Sequence, residues 1–173
     1  MSDIDKFIEQ YGAQAYAAAY RLTGNEADAW DLVQEAFVRA LEKAELYNPA
    51  FDFGGWLYRI LFRVYLNRRR AHGRRREVPL EPAVGEDQPG AGEPASAPEE
   101  SPAAIAERNE TRDSISGALG RLSEEHRACL VLVDVEGRSY DEAAEILDWP
   151  VGSVSGRVFR ARRLMREMLG TQG

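Results

Sequence analysis

Apolar side chains recur every three or four residues through most of the chain, and this spacing predicts amphipathic helices. The first run ends at the turn sequence TGN, and its members are Ile4, Phe7, Ile8, Tyr11, Ala15, Ala18 and Leu22. No segment before residue 77 shows the alternating runs, bounded by turn residues, that are typical of strands. The pattern therefore predicts an all-α fold.

Two more helices are predicted before residue 77. Asn25 is a suitable N-cap for the second helix. Its apolar face is predicted to consist of Trp30, Val33, Phe37, Ala40, Leu41 and Ala44. For Trp30, an exposed contact with a partner is the alternative to burial. After the aromatic loop ELYNPAFDFGG, the third helix is expected to bury Leu57, Ile60, Leu61 and Val64.

Residues 77–108 interrupt the helical pattern with prolines, glycines and acidic residues, and they include hardly any large apolar side chain. Such a segment buries too little surface to offset its chain entropy, so it is predicted to be a flexible acidic linker. It divides the chain into two small helical domains, residues 1–76 and residues 109–173.

The C-terminal domain is also predicted to be helical. Ile115, Ala118 and Leu122 share one helical face. The apolar run ACLVLV fits either a strand or a helix, and the possible N-cap Ser123 together with Gly137 at the far end favours the helix. The single cysteine, Cys129, lies in this run and is expected to be a buried core residue.

The last two helices match the pattern of a helix-turn-helix. SYDE at 139–142 is typical of a capping box, and it starts a short helix that ends near Leu147. Pro150 suits the first turn of the longer basic helix that follows. The apolar stripe of this basic helix is predicted to be Val151, Val154, Val158, Ala161, Met165 and Met168.

The other face of the basic helix combines small residues with arginines, which suits entry into a DNA major groove. Guanidinium groups there can bond guanine edges and phosphates, although a merely solvated basic face is the alternative. The candidate DNA contacts are Ser153, Ser155, Gly156, Arg157, Phe159, Arg160 and Arg163. Arg162 falls near the apolar stripe and is expected to brace a neighbouring helix or to reach past the stripe to solvent.

Charge is distributed in blocks along the 173 residues, which carry a net charge of −7. Residues 1–56 hold four basic and ten acidic side chains, whereas residues 57–76 hold eight arginines and no acid. Residues 77–110 are acidic again, with nine acids and one arginine. This alternation predicts partners of both signs, so the negative net charge does not argue against DNA.

The composition disfavours catalysis and metal binding. One cysteine and two histidines leave no disulfide framework, no cysteine zinc site and few metal ligands, and no cofactor is expected. No catalytic set of His, Cys or carboxylate side chains converges on an inward face, so the chain is not expected to be an enzyme. The sequence shows neither a signal peptide nor an apolar run of about 18 residues, which predicts a cytoplasmic protein without membrane insertion.

Two segments of the sequence resemble regions of a known protein family. The segment LTGNEADAWDLVQEAFVRALEKAELYNPAFDFGGWLYRILFRVYLNRRR is similar to region 2 of bacterial extracytoplasmic-function (ECF) sigma factors, in the sigma-70 family. LSEEHRACLVLVDVEGRSYDEAAEILDWPVGSVSGRVFRARRLMREML is similar to their region 4. The recognition helix starts GSVSGR rather than the usual GTVKSR, so the −35 base preference is the property most affected. In the segment similar to region 2, Arg63 replaces a frequent asparagine.

The resemblance implies a role for each half. Region 2 of the family binds the β′ clamp helices of core RNA polymerase and recognises and melts the promoter −10 element. For this chain, the resemblance implies polymerase contacts at Asp31, Gln34 and Glu35. It implies −10 contacts at Asn48, Phe51, Asp52, Phe53, Arg59, Arg63, Arg68 and Arg69, with Trp56 closing the loop by packing. For Phe51 and Phe53, packing of the loop on the core is the alternative to base contact.

Region 4 of the family binds the −35 element and the β flap, and the resemblance also implies an anti-sigma partner. A helix-turn-helix regulator that acts without core polymerase is the alternative function. A response-regulator output domain would leave residues 1–76 unexplained, because no α/β phosphoacceptor pattern occurs there.

Overall fold

The protein is described here by a computed structural model covering residues 3–75 and 101–170. All regular elements in these two ranges are helices, which confirms the all-α prediction. The α-helices are α1 (Asp3–Thr23), α2 (Glu26–Glu42), α3 (Phe53–Arg75), α4 (Pro102–Arg121), α5 (Glu124–Leu130), α6 (Tyr140–Leu147) and α7 (Val151–Gly170). None of the helices in the described ranges has the length and apolar character needed to cross a membrane.

Side-chain caps start three of these helices at the positions that the sequence indicates. Asn25, Ser123 and Ser139 each accept a hydrogen bond from the amide three residues further on, at 2.8, 3.3 and 3.1 Å. Each cap satisfies one of the amides that a helix N-terminus leaves unpaired. The Glu142 carboxylate, predicted to complete a capping box, lies 3.8 Å from the guanidinium of Arg138.

The ACLVLV segment is helical, as predicted. Helix α5 ends at Leu130 and continues as a π-helix over Val131–Val135. The amide of Glu136 donates to the carbonyl five residues earlier, at 2.9 Å, which widens this last turn. Gly137 follows with a φ of +67°, a left-handed conformation that glycine adopts without strain, and the helix ends there.

The end of the predicted linker is helical. Ser101 caps α4 by accepting a hydrogen bond from the Ala104 amide at 3.3 Å, and Pro102 occupies the first turn. The prediction of a linker over residues 101–108 is therefore wrong, because a serine cap followed by proline starts a helix despite the local acidity. Residues 76–100 lie outside the described part of the chain.

The buried face of α2 differs from the predicted one. Trp30 is 47% exposed and packs against Tyr16 in a tilted arrangement, with 4.6 Å between ring centroids, while Leu41 is 42% exposed. Ala44 lies beyond the helix and is also exposed. The prediction of these three residues as core is wrong. The buried side chains of α2 are Ala29, Leu32, Val33, Ala36, Phe37 and Ala40. Alanines at three of these positions let α1 and α3 approach closely. The buried face of α2 is therefore not the face with the largest side chains.

Helix α3 is buried on nearly every side between residues 57 and 66. The predicted inward residues Leu57, Ile60, Leu61 and Val64 are buried, and so are Tyr58, Phe62, Tyr65 and Leu66. The helix packs on α1 and α2 and also on α5 and α6. A helix that is apolar all round is one that neighbours cover on all sides. The N-terminal unit (α1–α3) and the C-terminal unit (α4–α7) therefore share one hydrophobic core.

Candidate nucleic-acid and polymerase interface

Helices α6 and α7 are joined by a three-residue turn, as in a helix-turn-helix. Asp148 closes α6 in the left-handed conformation, with a φ of 57°. The carbonyl of Pro150 accepts hydrogen bonds from the amides of Ser153 at 3.0 Å and Val154 at 3.2 Å. Pro150 therefore stands at the N-cap of α7, one position before the first turn predicted for it.

The apolar stripe of α7 is one turn shorter than predicted. Val154, Val158 and Ala161 are fully buried, and Met165 and Met168 pack partly buried against the core. Val151 is 43% exposed, so its prediction as a stripe residue is wrong. The burial of this stripe fixes which side of α7 faces solvent.

The solvent face of α7 displays the side chains expected of a DNA-contacting helix. Phe159 is 66% exposed, and Arg160 is exposed one position further on. Gly156 leaves this part of the surface without side-chain bulk, since no atom lies within 4 Å of where a Cβ would stand. Arg163 is also exposed, and its Nε lies 3.3 Å from the Glu167 carboxylate in a salt bridge on the helix surface.

Two serines lie in the first turns of this helix and are half-buried. Ser153 lies near the entering end of the helix, and the Ser155 hydroxyl donates to the carbonyl of Gly152 at 3.2 Å. A hydroxyl that donates within its own helix keeps its lone pairs as acceptors. These two side chains can therefore accept hydrogen bonds from a partner.

Arg157 is tied to its own domain. Its Nε and Nη2 donate to Glu125 at 3.2 and 3.1 Å, and its guanidinium lies 4.7 Å from the centre of the Trp149 ring. Nη1 donates to the carbonyl of Ser153 at 3.4 Å. The guanidinium predicted to contact a base thus joins α5, the turn and α7.

Arg162 braces a neighbouring element, which is one of the two placements expected for it. Its Nε and Nη2 donate to the two carboxylate oxygens of Asp134 at 2.9 and 2.5 Å. Hydrogen bonding to Asp134 raises the pKa of Arg162 above its ordinary value. This two-point pair fixes the middle of α7 against the π-helical turn.

The loop before α3 is organised by two polar side chains that the resemblance implies in −10 recognition. Asn48 Oδ1 accepts from the Ala50 amide at 3.0 Å. Asp52 accepts from the amides of Gly54 and Gly55 at 3.3 and 2.9 Å, so it caps α3. Both side chains are exposed, but part of their hydrogen-bonding capacity is used to shape the loop.

The two phenylalanines of this loop differ in their surroundings. Phe51 is 70% exposed. Phe53 stacks on Phe7, with 4.1 Å between centroids and 10° between ring planes, and Tyr47 and Trp56 pack beside it at 5.4 and 5.6 Å. Phe53 and Trp56 thus belong to an aromatic cluster that holds the loop on the helices, whereas Phe51 is available to a partner.

The arginines of α3 fall into three situations. Arg59 is exposed. Arg63 lies 3.6 Å from Asp148 of the C-terminal unit. Arg68 donates from Nε to Glu35 at 2.6 Å. The side chain of Arg69 lies outside the described part of the structure. Among the described side chains of this group, Arg59 therefore differs from Arg63 and Arg68 in having no carboxylate partner.

The implied polymerase patch lies on the solvent side of α2. Asp31 and Gln34 are exposed. Glu35 is partly buried and bonds both Arg39 and Arg68, at 2.9 and 2.6 Å. Partial burial acts to raise the pKa of Glu35, but the bonds from the two arginines outweigh it and the pKa lies below its ordinary value. The carboxylate of Glu35 is thus held in place by two arginines.

Three residues of these sites escaped the sequence analysis. Glu125 lies in the first turn of α5, where acidic residues are common, and Trp149 lies in the turn between α6 and α7. Their positions alone therefore gave no sign of a role in the site. Arg127 is 7% exposed and precedes ACLVLV on the buried face of α5. A basic residue next to a long apolar run is the signal that would have found Arg127, because such a cation needs buried partners.

Comparison with known proteins shows the family of this chain. Residues 7–75 match the family model of Sigma-70 region 2, and residues 112–165 match that of Sigma-70, region 4. The chain is 35% identical over 169 residues to the ECF RNA polymerase sigma factor SigE of Mycolicibacterium smegmatis, covering 98% of this chain and 62% of that protein. It is 31% identical over 166 residues to the RNA polymerase sigma-H factor of Pseudomonas aeruginosa, covering 95% and 85%.

The fold is similar to that of the sigma factor RpoE in its complex with the anti-sigma factor NepR from Bartonella quintana. The TM-score is 0.72, the identity is 24%, and the match covers 98% of each chain.

One helical unit carries the helix-turn-helix, and the helical unit on which it packs carries an aromatic loop and an acidic patch. These features define a DNA-binding protein with two parts. The chain belongs to the ECF group of the sigma-70 family. It is therefore an alternative sigma factor for transcription initiation, a class that is not enzymatic, and a regulator acting without core polymerase is not favoured.

Proposed function

We propose that this chain divides promoter recognition between two exposed surfaces, with residues 109–173 on the −35 element and residues 1–76 on the −10 element and the polymerase. The observation that carries the proposal is the exposed face of α7. It presents Phe159, Arg160 and Arg163 opposite the buried Val154 and Val158. A helix so divided can enter a major groove without losing its packing.

On the −35 element, Arg160 contacts a base edge and Arg163 contacts phosphate. Arg160 supports this role because it is exposed and a guanidinium can form two hydrogen bonds with guanine. Phe159 has the chemistry for apolar contact with a thymine methyl group. The two half-buried serines and Gly156 let the backbone approach the DNA, and Arg157 orients the helix.

On the −10 element, Phe51 stacks on an unpaired base. An exposed aromatic ring recovers part of the energy spent in opening the duplex, about 1–3 kcal/mol per stacked base. Asn48 and Asp52 offer acceptors beside it, and Arg59 faces the phosphate backbone. Phe53 supports the loop from below, in keeping with its stacking on Phe7.

Asp31 and Gln34 form the main contact with the β′ clamp helices, with Glu35 held in place by its two arginines. The C-terminal unit contacts the β flap. An anti-sigma factor is a further partner, which the family resemblance supports. The chain acts in the cytoplasm with RNA polymerase and performs no catalysis of its own.

The test is reconstitution with core RNA polymerase, followed by sequencing of transcripts from genomic DNA. We expect transcripts that start downstream of one shared pair of −10 and −35 sequences, and none with core polymerase alone. Absence of shared upstream sequences would overturn the proposal. Tight promoter binding by the chain alone, at physiological salt, would favour the regulator hypothesis instead.

A further inference from the structure

His126 lies at the start of α5, beside the exposed face of the recognition helix. Its neighbour Glu125 accepts two hydrogen bonds from Arg157 of α7, at 3.2 and 3.1 Å. The charges of Arg157 and Arg160 are close enough to His126 to act on its ring. His126 is half-buried, so part of its ring is accessible to a partner. A residue of α5 therefore adjoins the surface of α7 that is proposed to bind the −35 element.

The ring of His126 is oriented by the residue that caps α5. The Ser123 hydroxyl accepts a hydrogen bond from the His126 amide at 3.3 Å, and it lies 2.6 Å from Nδ1 of the same residue. A hydroxyl that accepts from an amide still has one hydrogen, which it can donate to Nδ1. The neutral ring then carries its proton on Nε2, on the edge directed away from the cap. The outer nitrogen of His126 is therefore a hydrogen-bond donor.

The same cap accommodates the charged form of the ring. When Nδ1 is protonated, the Ser123 hydroxyl can rotate and accept a hydrogen bond from it, so the contact of 2.6 Å is kept. Nε2–H is a donor in both the neutral and the charged form. Protonation of His126 therefore changes the charge at this position and leaves the outer donor in place.

The position of α5 relative to α7 determines which part of the DNA His126 can reach. Helix α5 packs directly on α7, and packed helices lie about 8–10 Å apart, axis to axis. The major groove is about 12 Å wide, so a helix centred in it has a groove edge about 6 Å to each side. With α7 in the groove, α5 lies beyond that edge. A side chain at the start of α5 therefore meets phosphates rather than base edges.

The charges at this end of α5 favour a phosphate beside His126. The carboxylate of Glu125 is paired with Arg157, so these two charges largely offset each other. Glu124 precedes His126 by two positions, about 200° around the helix, and therefore points away from it. Arg160 is exposed and adds a positive charge on the His126 side. A phosphate placed here meets one guanidinium and one imidazole donor.

We propose that His126 is a DNA contact, with its Nε2–H donating to a phosphate at the edge of the −35 element, next to the base contact of Arg160. Ser123 orients the ring, and the Glu125–Arg157 pair holds α5 against α7. This inference rests on the proposed function, because it requires α7 to lie in the major groove. It extends the recognition surface from one helix to two.

The contact makes −35 binding depend on pH. Burial and the charges of Arg157 and Arg160 hold the pKa of His126 below its ordinary value, against the opposing effect of Glu125. The ring is therefore neutral at pH 7 in the free protein. A bound phosphate stabilises the imidazolium, so the pKa of His126 rises in the complex and DNA binding takes up a proton. Affinity then increases as pH falls from the pKa of the complex towards that of the free protein.

The test is binding of holoenzyme to one promoter taken from the transcript sequencing. Affinity is measured between about pH 5.5 and about pH 8, on either side of the histidine range, at several salt concentrations. Relative to the His126→Gln variant, we expect the unmodified chain to gain about fivefold in affinity at the acid end, because a charged donor bonds phosphate more strongly than a neutral one. Its slope of log affinity against log salt should also be steeper there by about 0.9, the value for one phosphate contact.

Three variants separate the contact from a structural role. His126→Ala removes the donor in both charge states, so it should lose about threefold at pH 8 and about fifteenfold at pH 5.5. His126→Gln keeps a neutral donor, so it should bind normally at pH 8 and lack the acid gain. The chain has two histidines, and His72→Ala is the matched control that should keep the full response to pH. If His126→Ala loses helicity by circular dichroism, His126→Gln decides.

Arg160→Ala, measured in parallel, distinguishes failure of this contact from failure of the proposed function. If Arg160→Ala loses affinity while His126→Gln responds to pH and salt as the unmodified chain does, the proposed function stands and the His126 contact is overturned. If neither variant differs from the unmodified chain, α7 is not the −35 surface and both proposals fail. A loss of the acid gain in His72→Ala but not in His126→Gln would also overturn the contact.

Discussion

Glu125 of α5 accepts two hydrogen bonds from the guanidinium of Arg157 on α7, at 3.2 and 3.1 Å. The Trp149 ring lies beneath the same guanidinium, at 4.7 Å. The arginine nearest the entering end of the recognition helix is thus committed to holding that helix, and the next arginine along the exposed face is Arg160. We therefore expect orientation of the helix and base contact to depend on different arginines.

Arg157→Ala should destabilise the protein and weaken binding to all −35 sequences alike. The lost ion pair and cation–π contact together are worth about 1–2 kcal/mol of unfolding free energy at a half-exposed site. Glu125→Gln should show a smaller effect in the same direction, since one neutral acceptor remains. Urea denaturation and holoenzyme binding to a −35 library are the measurements. A change in preference at a single base position would contradict the orienting role.

Arg163→Ala should weaken all promoters equally and reduce their salt dependence. A phosphate contact releases about one counterion, so the slope of log affinity against log salt should become flatter by about one unit. Arg166→Ala, one turn further from the entering end, is the control and should leave the slope unchanged. Binding of holoenzyme to one promoter is measured over a range of salt concentrations. An unchanged slope in Arg163→Ala would remove this residue from the interface.

Asp31→Arg and Gln34→Arg should abolish transcription by weakening the association with core polymerase. Both side chains are exposed on α2, so their replacement removes no core packing and helicity should remain. Affinity for core polymerase and circular dichroism are measured on each variant. Glu26→Arg, exposed in the first turn of the same helix, is the control for added positive charge. Unfolded variants, or normal polymerase affinity, would refute the assignment of this patch.

Cys129 should resist alkylation in the folded protein across the range where ordinary thiols react. Burial raises the pKa of Cys129 from 9.0 to about 12, so the thiolate is scarce and inaccessible. The raised pKa also means that stability is fully retained below the ordinary thiol pKa and is lost progressively as pH rises towards 12. Iodoacetamide labelling at pH 8 to 10, with and without urea, measures this. Fast labelling without urea would contradict the burial.

Local chemistry was largely predictable from the sequence. Caps at Asn25, Ser123 and Ser139 form as expected, because a short polar side chain next to a helix start satisfies amides that nothing else reaches. The buried side of α7 was also predictable except for Val151, because apolar residues spaced three or four positions apart lie on one face of a helix.

Contacts between elements distant in the sequence were not predictable in the same way. Trp30 is the largest apolar side chain of α2, yet the buried face of this helix consists largely of small alanines. The spacing of apolar residues does not show how closely two helices approach each other. Phe62 and Tyr65 are buried because a second unit covers them, and the partners of Arg127 are backbone carbonyls, which sequence patterns do not display. The ion pair of Arg157 crosses 32 residues to Glu125, so the local pattern shows only a basic residue beside the small residues of α7.

The most direct test of promoter recognition by α7 compares Arg160→Ala with Arg166→Ala in holoenzyme bound to a library of −35 sequences. Arg160→Ala should cost about 1–3 kcal/mol on the preferred sequence and relax the preference at one base position, as removal of a bidentate arginine–guanine contact does. Arg166→Ala should retain the full preference. If Arg160→Ala changed neither affinity nor base preference, the exposed face of α7 would not be the −35 recognition surface.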